Sequence, residues 1–130
     1  LTPVRCAVDV ALRAASPADR PLLRALLPAA STHDGEAQIA MVLADGEAVG
    51  AVVYDRSPGR VHLVDLVVMP TQRGRGIASS ALRLLIGPGT IATATVRADD
   101  RRALALCERH GFTVVAEHVG RLLLATGVDD

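Results

Sequence analysis

Arg73-Gly74-Arg75-Gly76-Ile77-Ala78 sits between an apolar, β-branched run, Val61-His62-Leu63-Val64-Asp65-Leu66-Val67-Val68-Met69, and a stretch apolar at Ile77, Ala81, Leu84 and Leu85. The run reads as a strand, and the spacing i, i+4, i+7, i+8 as one face of a helix. A strand, a loop with two glycines and a helix start together make an anion site. Glycines let the backbone approach a ligand closely, and the first N–H groups of a helix, unpaired within it, point at whatever the loop holds. Arg73 and Arg75 flank the loop, and guanidinium forks match phosphate oxygens. The stretch predicts a phosphate-binding loop.

Two common phosphate loops are excluded. A Walker loop needs Lys followed by Ser or Thr, and the chain contains no lysine. A dinucleotide fingerprint needs three glycines opening the first βα unit and an acid about 20 residues on. Here Asp99 and Asp100 come too late and on the wrong kind of element. The arrangement instead resembles the acyl-coenzyme A loop of the GNAT N-acetyltransferases, Arg/Gln-x-x-Gly-x-Gly/Ala, with Arg73, Gly76 and Ala78 in its fixed positions. Flanking segments match in order and spacing. Leu66-x-Val68-x-Pro70 resembles the end of the family's fourth strand. Val96 to Phe112, with Asp100, Ala103, Leu106, Cys107, Glu108, Gly111 and Phe112 at matching places, resembles its fifth strand and fourth helix. Leu12-Arg13-x-Ala15-x-Pro17-x-Asp19 resembles its first strand and helix, so the likeness runs from about Val8 to about Leu124.

A chain of 130 residues is expected to form a single domain, residues 1–130, with one core. That core is aliphatic, because half the residues are hydrophobic and only Tyr54 and Phe112 are aromatic. Stacking platforms for single-stranded nucleic acid are therefore absent. Fourteen basic residues balance fourteen acidic ones, which leaves no net field to recruit DNA or an anionic membrane. No apolar run approaches the roughly 20 residues that span a bilayer. Cys6 and Cys107 lie far apart and form no cysteine pair at metal-ligand spacing, so no metal is expected. The first residues lack the features of a signal peptide, and the cysteine usage suits a reducing cytoplasm. A cytoplasmic location is the expectation.

The remaining elements follow from local signals. Val8-x-Val10-x-Leu12 alternates as a strand. Ser16-Pro17-Ala18-Asp19 reads as a helix start, with Leu22, Leu23, Leu26 and Leu27 as the buried stripe, Pro21 removing one early hydrogen bond and Pro28 ending it. Ser31 to Gln38 is polar and short, where the family carries a second helix. Strands at Gln38 to Leu43 and Val49 to Val53 meet at Asp45-Gly46-Glu47, and Ser57-Pro58-Gly59 turns into the next. Gly87-Pro88-Gly89 stops the helix that opens at Ile77. A Thr-rich strand, Ile91 to Val96, precedes a helix from Arg101 to His110, capped by Asp99 or Asp100 and ended by Gly111. Thr113 to Glu117 and Arg121 to Ala125 read as a hairpin around Gly120. The order βαβββαβαββ predicts an α/β (α+β) chain with a mixed and mostly antiparallel central sheet flanked by helices, and the resemblance implies that this is the GNAT fold.

The resemblance implies acyl-coenzyme A as co-substrate, in a cleft between the fourth and fifth strands. The pantetheine arm would pair with the backbone of Leu66, Val67 and Val68, an N–H near Val68 facing the thioester oxygen. Pyrophosphate would rest on the loop Arg73, Gly74, Arg75, Gly76, Ile77 and Ala78, with Ser79 adding a hydroxyl and Asp100 standing where the family often has Asn. Two catalytic positions depart from the family. Cys107 replaces the usual Tyr acid. A thiol can donate a proton, but the residue also reads as a small hydrophobe on the face of Ala103 and Leu106. His62 stands where many members carry a Glu base. It reads equally as a base or as a half-exposed strand residue. Thr95 occupies another base position and cannot serve. Strand alternation puts Asp65 on the opposite face from His62 unless a bulge intervenes. His33, His110 and His118 have no companions at useful spacing and read as solvent-facing.

The leading expectation is an acetyl-coenzyme A-dependent N-acetyltransferase acting on a small-molecule or protein amine. The alternative is a GNAT-fold module that binds coenzyme A without efficient turnover. Neither nucleic acid nor membrane is an expected partner, and a homodimer stays open.

Overall fold

Strand β1 (Val10–Ala14) leads into a 3₁₀ turn, Pro17–Asp19, and helix α1 (Arg20–Leu26). The turn is tight because Pro21 has no N–H to reach the Pro17 carbonyl four residues back. The Arg20 N–H takes that carbonyl instead, at 3₁₀ spacing. Asp19 anchors the start: its carboxylate accepts from the Ser16 N–H at 2.8 Å and from both terminal nitrogens of Arg13 at 2.9 and 3.0 Å. The Arg13 fork, above all, holds this carboxyl well below the usual carboxylate range. Strands β2 (Gln38–Ala44) and β3 (Glu47–Ser57) form a hairpin on the two-residue turn Asp45-Gly46, with φ of 51° and 88°. Both angles suit the primed turns whose twist matches paired strands. Then follow β4 (Arg60–Val68), a 3₁₀ turn at Pro70–Gln72, α2 (Ile77–Ile86), β5 (Ile91–Arg97), α3 (Arg101–Arg109), β6 (Thr113–His118) and β7 (Arg121–Ala125). The expected order of strands and helices is met. This computed structural model describes residues 8–27, 38–87 and 89–126. The expectations for Cys6, Pro28, His33, the Ser31 to Ala37 stretch and Pro88 lie outside them.

The strands lie in the order β1-β2-β3-β4-β5-β7-β6. Every pairing is antiparallel except β4 with β5. That parallel pairing is short. It runs from Arg60 opposite Ile91 to Leu63 opposite Ala94 and stops, although β4 continues to Val68 and β5 to Arg97. The two strands therefore separate along Val64 to Val68, leaving a gap in the middle of the sheet.

One face of the sheet carries α2 and α3. Its core joins Ala40, Val42, Val52, Val61, Leu63, Ala92, Ala94 and Leu124 of the sheet to Ile77, Ala81, Leu82 and Leu85 of α2 and to Cys107 and Phe112. The α2 face differs from the periodic expectation, since Leu84 is 52% exposed and Leu82 is buried in its place. The helix packs against both β1 and β4, which turns Leu82 inward and leaves Leu84 at the margin. Met41, Ala51 and Val53 alternate with core-face residues and are fully buried on the other face, where α1 touches β3. Gly50 has a packing reason: a Cβ there would lie 2.4 Å from the Val67 carbonyl oxygen, so β3 and β4 come together closer than any side chain allows.

Candidate functional site

At one end of the gap lies the Arg73–Ala78 loop. Gly74 and Gly76 have φ of 85° and 77°, conformations that L side chains rarely adopt, and a Cβ at either would meet nothing within 4 Å. The loop thus presents bare backbone to open space. Gly76 caps α2 without a side-chain bond, and the helical ladder begins with the Ser80 N–H on the Gly76 carbonyl at 3.0 Å. The N–H groups of Ile77, Ala78 and Ser79 stay outside that ladder. Arg73 braces the loop by donating from Nε to the Val68 carbonyl at 3.2 Å, with the outer end of its fork beyond that bond. Arg75 donates to Gln72 Oε1 and lies 4.0 Å from Asp45 at the β2–β3 turn. This donor set, backbone N–H groups flanked by two guanidinium ions, suits a phosphate ester.

Along the gap, Leu66, Val67 and Val68 pair with β3 on one side, opposite Val52, Ala51 and Gly50, and with no strand on the other. Their β5-facing edge pairs with no strand, and of its groups the Val68 carbonyl is taken by Arg73. Of the two capping candidates the structure engages Asp100, with Oδ1 accepting from the Ala103 N–H at 3.1 Å.

At the vertex, where β4 and β5 part, His62 is half-buried between two threonines of β5. Nδ1 lies 2.6 Å from Thr93 Oγ1 and Nε2 3.4 Å from Thr95 Oγ1. Thr93 is the register partner of His62, whereas Thr95 stands beyond the last β4–β5 pair. When Nδ1 donates to Thr93, Nε2 keeps its lone pair and faces the gap across the longer contact. Asp65 comes to the same face. Leu63 pairs with Tyr54 and Asp65 with Val53, so Val64 is an extra residue opposite none. This bulge reverses the alternation: Asp65 and His62 share the face opposite α2 and α3, correcting the expectation from unbroken pleating. On this face an open hollow of about 450 Å³, lined by Asp55, Arg60, His62, Ile91 and Thr93 among others, continues away from the gap.

Cys107 faces the core. It is 1% exposed, and burial, with Glu108 and Asp100 nearby, pushes its thiol up to about 11. His110 corrects the solvent-facing reading. It is half-buried, with Nε2 2.5 Å from Ser79 Oγ. Burial, then Arg83 and Arg109, lower its pKa and favour the neutral ring. His118 is exposed as expected. Sequence reasoning named Ser79 and Thr95 but missed Thr93 and His110. Their partners stand 31 residues away in the chain, and no local spacing signals such pairs. Among the described residues no cluster of His, Cys, Asp or Glu could hold a metal ion, and no helix is long and apolar enough to cross a membrane.

Solved structures share this architecture. An acetyltransferase from Thermus thermophilus superposes with a TM-score of 0.73 at 21% identity, over 92% of this chain and 97% of that one. The ribosomal-protein-S18-alanine N-acetyltransferase from Escherichia coli gives 0.70 at 17% identity, over 91% and 93%. A GNAT family acetyltransferase from Elizabethkingia anophelis, solved with acetyl-CoA bound, gives 0.71 at 13% identity, over 95% and 100%. No curated protein sequence matches this chain. The family model for GNAT acetyltransferases matches residues 8–112, from the strand before α1 through the gap and the loop to Phe112, and the chain belongs to that family.

Proposed function

We propose that this protein is an N-acyltransferase that moves an acyl group from acyl-coenzyme A directly to an amine. The observation that carries the reading is the gap between β4 and β5, with bare loop backbone at one end and His62 at its vertex. The coenzyme, when bound, supplies an acyl group activated as a thioester. The loop N–H groups from Gly74 to Ala78 and the Arg73 fork hold its phosphates. The open edge of Leu66, Val67 and Val68 aligns its pantetheine arm. Asp100 keeps α3 in place through its cap. His62 receives the amine proton at Nε2, in the tautomer whose Nδ1–H donates to Thr93 Oγ1. The acceptor, a small molecule or a protein amine, reaches the gap from the face of His62, its body lying toward the hollow that Asp55, Arg60 and Ile91 line. The cysteine usage supports a cytoplasmic setting.

Cys107 has no proton-donating part in this scheme. A thiol near 11 is a weaker acid than an ordinary thiol near 8.5, so proton transfer from it to a coenzyme thiolate runs uphill. The residue packs α3 onto the sheet.

The test is thermal unfolding with and without acetyl-coenzyme A, followed by thiol release against a panel of α-amines, arylamines and polyamines. Stabilisation by several degrees with release supports an acyltransferase. Stabilisation without release across the panel identifies a coenzyme A-binding module. Gly76→Val, folded but with its side chain in the space the loop leaves open, is expected to abolish the stabilisation. Unchanged binding in that variant overturns the loop assignment.

A further inference from the structure

The Ser79–His110 contact links the first turn of α2, beside the phosphate loop, to the end of α3. It rests on a single shared proton. A hydroxyl has one hydrogen to give, and Nε2 of a neutral imidazole either carries one or accepts one. When Ser79 donates to Nε2, its hydroxyl is spent. When Nε2–H donates to Oγ, the hydroxyl proton is free for a third atom. A phosphate oxygen is such an atom, acceptor only and charged. We propose that His110 is a positioning residue for the phosphate loop: by donating from Nε2 to Ser79 Oγ it releases the Ser79 hydroxyl to bond a coenzyme phosphate. This deepens the reading of the loop as a coenzyme A site and rests on it.

The charged groups bearing on the ring among the described residues are Arg83 of α2 and Arg109 of α3, both cationic. Partial burial, and then these arginines, favour the neutral ring in the free protein, where either direction of the bond is open. An arriving phosphate alters that balance twice. It demands the Ser79 proton, which selects Nε2 as donor, and its negative charge offsets the arginines. A protonated His110, a donor at both nitrogens, holds the productive direction permanently. Coenzyme binding is therefore coupled to proton uptake at His110, and affinity rises as pH falls through the His110 range.

The measurement is coenzyme A affinity by calorimetry from pH 5.5 to 8, in the parent, Ser79→Ala, His110→Ala and His110→Gln. Each alanine variant is expected to weaken binding about tenfold and to show a flatter pH dependence than the parent. The double variant should lose no more than either single one, because the two side chains act as one donor. His110→Gln, whose amide donates without titrating, should restore affinity while leaving the profile flat. Pantetheine, which lacks the phosphates, should bind all four proteins alike. NMR titration of the His110 ring in the parent gives a second readout: its pKa should rise when coenzyme A is added. Parent-like affinity and pH profile in both alanine variants, or a ring pKa unmoved by coenzyme A, overturns the proposal. Absence of any coenzyme A binding by the parent overturns instead the functional reading beneath it.

Discussion

His62 is the residue on which the proposed chemistry turns, and its geometry makes a graded prediction. Thr93 holds Nδ1 at 2.6 Å, while Nε2 has only the 3.4 Å contact with Thr95. His62→Ala removes the proton acceptor and should lower kcat/KM about a hundredfold or more, the lower end of what a positioned base supplies. Thr93→Val keeps the shape and removes only the hydroxyl that holds the ring at Nδ1, so a loss nearer tenfold is expected. Equal activity in all three proteins would show that His62 is only a strand residue. Cys107 makes the opposite prediction. Its thiol is pushed up to about 11, so at pH 8 its thiolate is scarcer than an ordinary cysteine's by roughly two hundredfold. Peptide mapping after alkylation should find Cys107 unlabelled in the folded protein and labelled in urea. Cys107→Ala should leave turnover within about threefold of the parent while lowering stability by about 1 kcal/mol. A hundredfold loss without unfolding would return the thiol to catalysis.

At the scale of elements, the approach of β3 to β4 sets the shape of the gap. Gly50 faces the Val67 carbonyl so closely that a Cβ would stand 2.4 Å from it. Gly50→Ala must push the strands apart or twist β4, at a cost of about 2–3 kcal/mol by analogy with overpacking. Denaturant unfolding measures that cost. Because Val67 belongs to the open edge of the gap, coenzyme A affinity should fall with it. A variant as stable as the parent would show that β3 yields without disturbing β4. The Val64 bulge works at the same scale, turning the end of β4 so that Leu66 faces the core while Asp65 joins His62.

For the whole molecule, His and Thr rather than Glu at positions 62 and 95 limit which amines react well in the proposed site. A lysine side chain, with pKa near 10.4, is only about 0.04% neutral at pH 7, and an α-amine near 7.8 is roughly 14% neutral. The difference amounts to about 3.5 kcal/mol. Neither position where the family carries Glu holds one here, since His62 and Thr95 fill them. The preferred acceptor should therefore be an α-amine, an arylamine or another amine of low pKa, or the optimum should lie above neutral pH. Rates against paired acceptors of high and low pKa across pH 6 to 10 check this. Preference for an unperturbed lysine, peaking at pH 7 and unaffected by His62→Ala, would contradict it.

The amino-acid sequence determined the order of strands and helices, the Arg73–Ala78 loop, an aspartate cap on α3 and the hairpin turns at Gly46 and Gly120. Each depends on residues within a few positions of one another: positive φ at glycine, a side chain reaching the next turn, alternation in steps of two. What the gap contains was decided by tertiary structure. His62 meets Thr93 and Thr95, and Ser79 meets His110, across 31 to 33 residues of chain, and only strand register and helix packing bring them together. The Val64 bulge left no mark in a run of β-branched and apolar residues, because any of them could have been the extra one. The same holds for Leu82 and Leu84, two residues apart on one helix, whose exposure is set by where β1 and β4 lie beneath it.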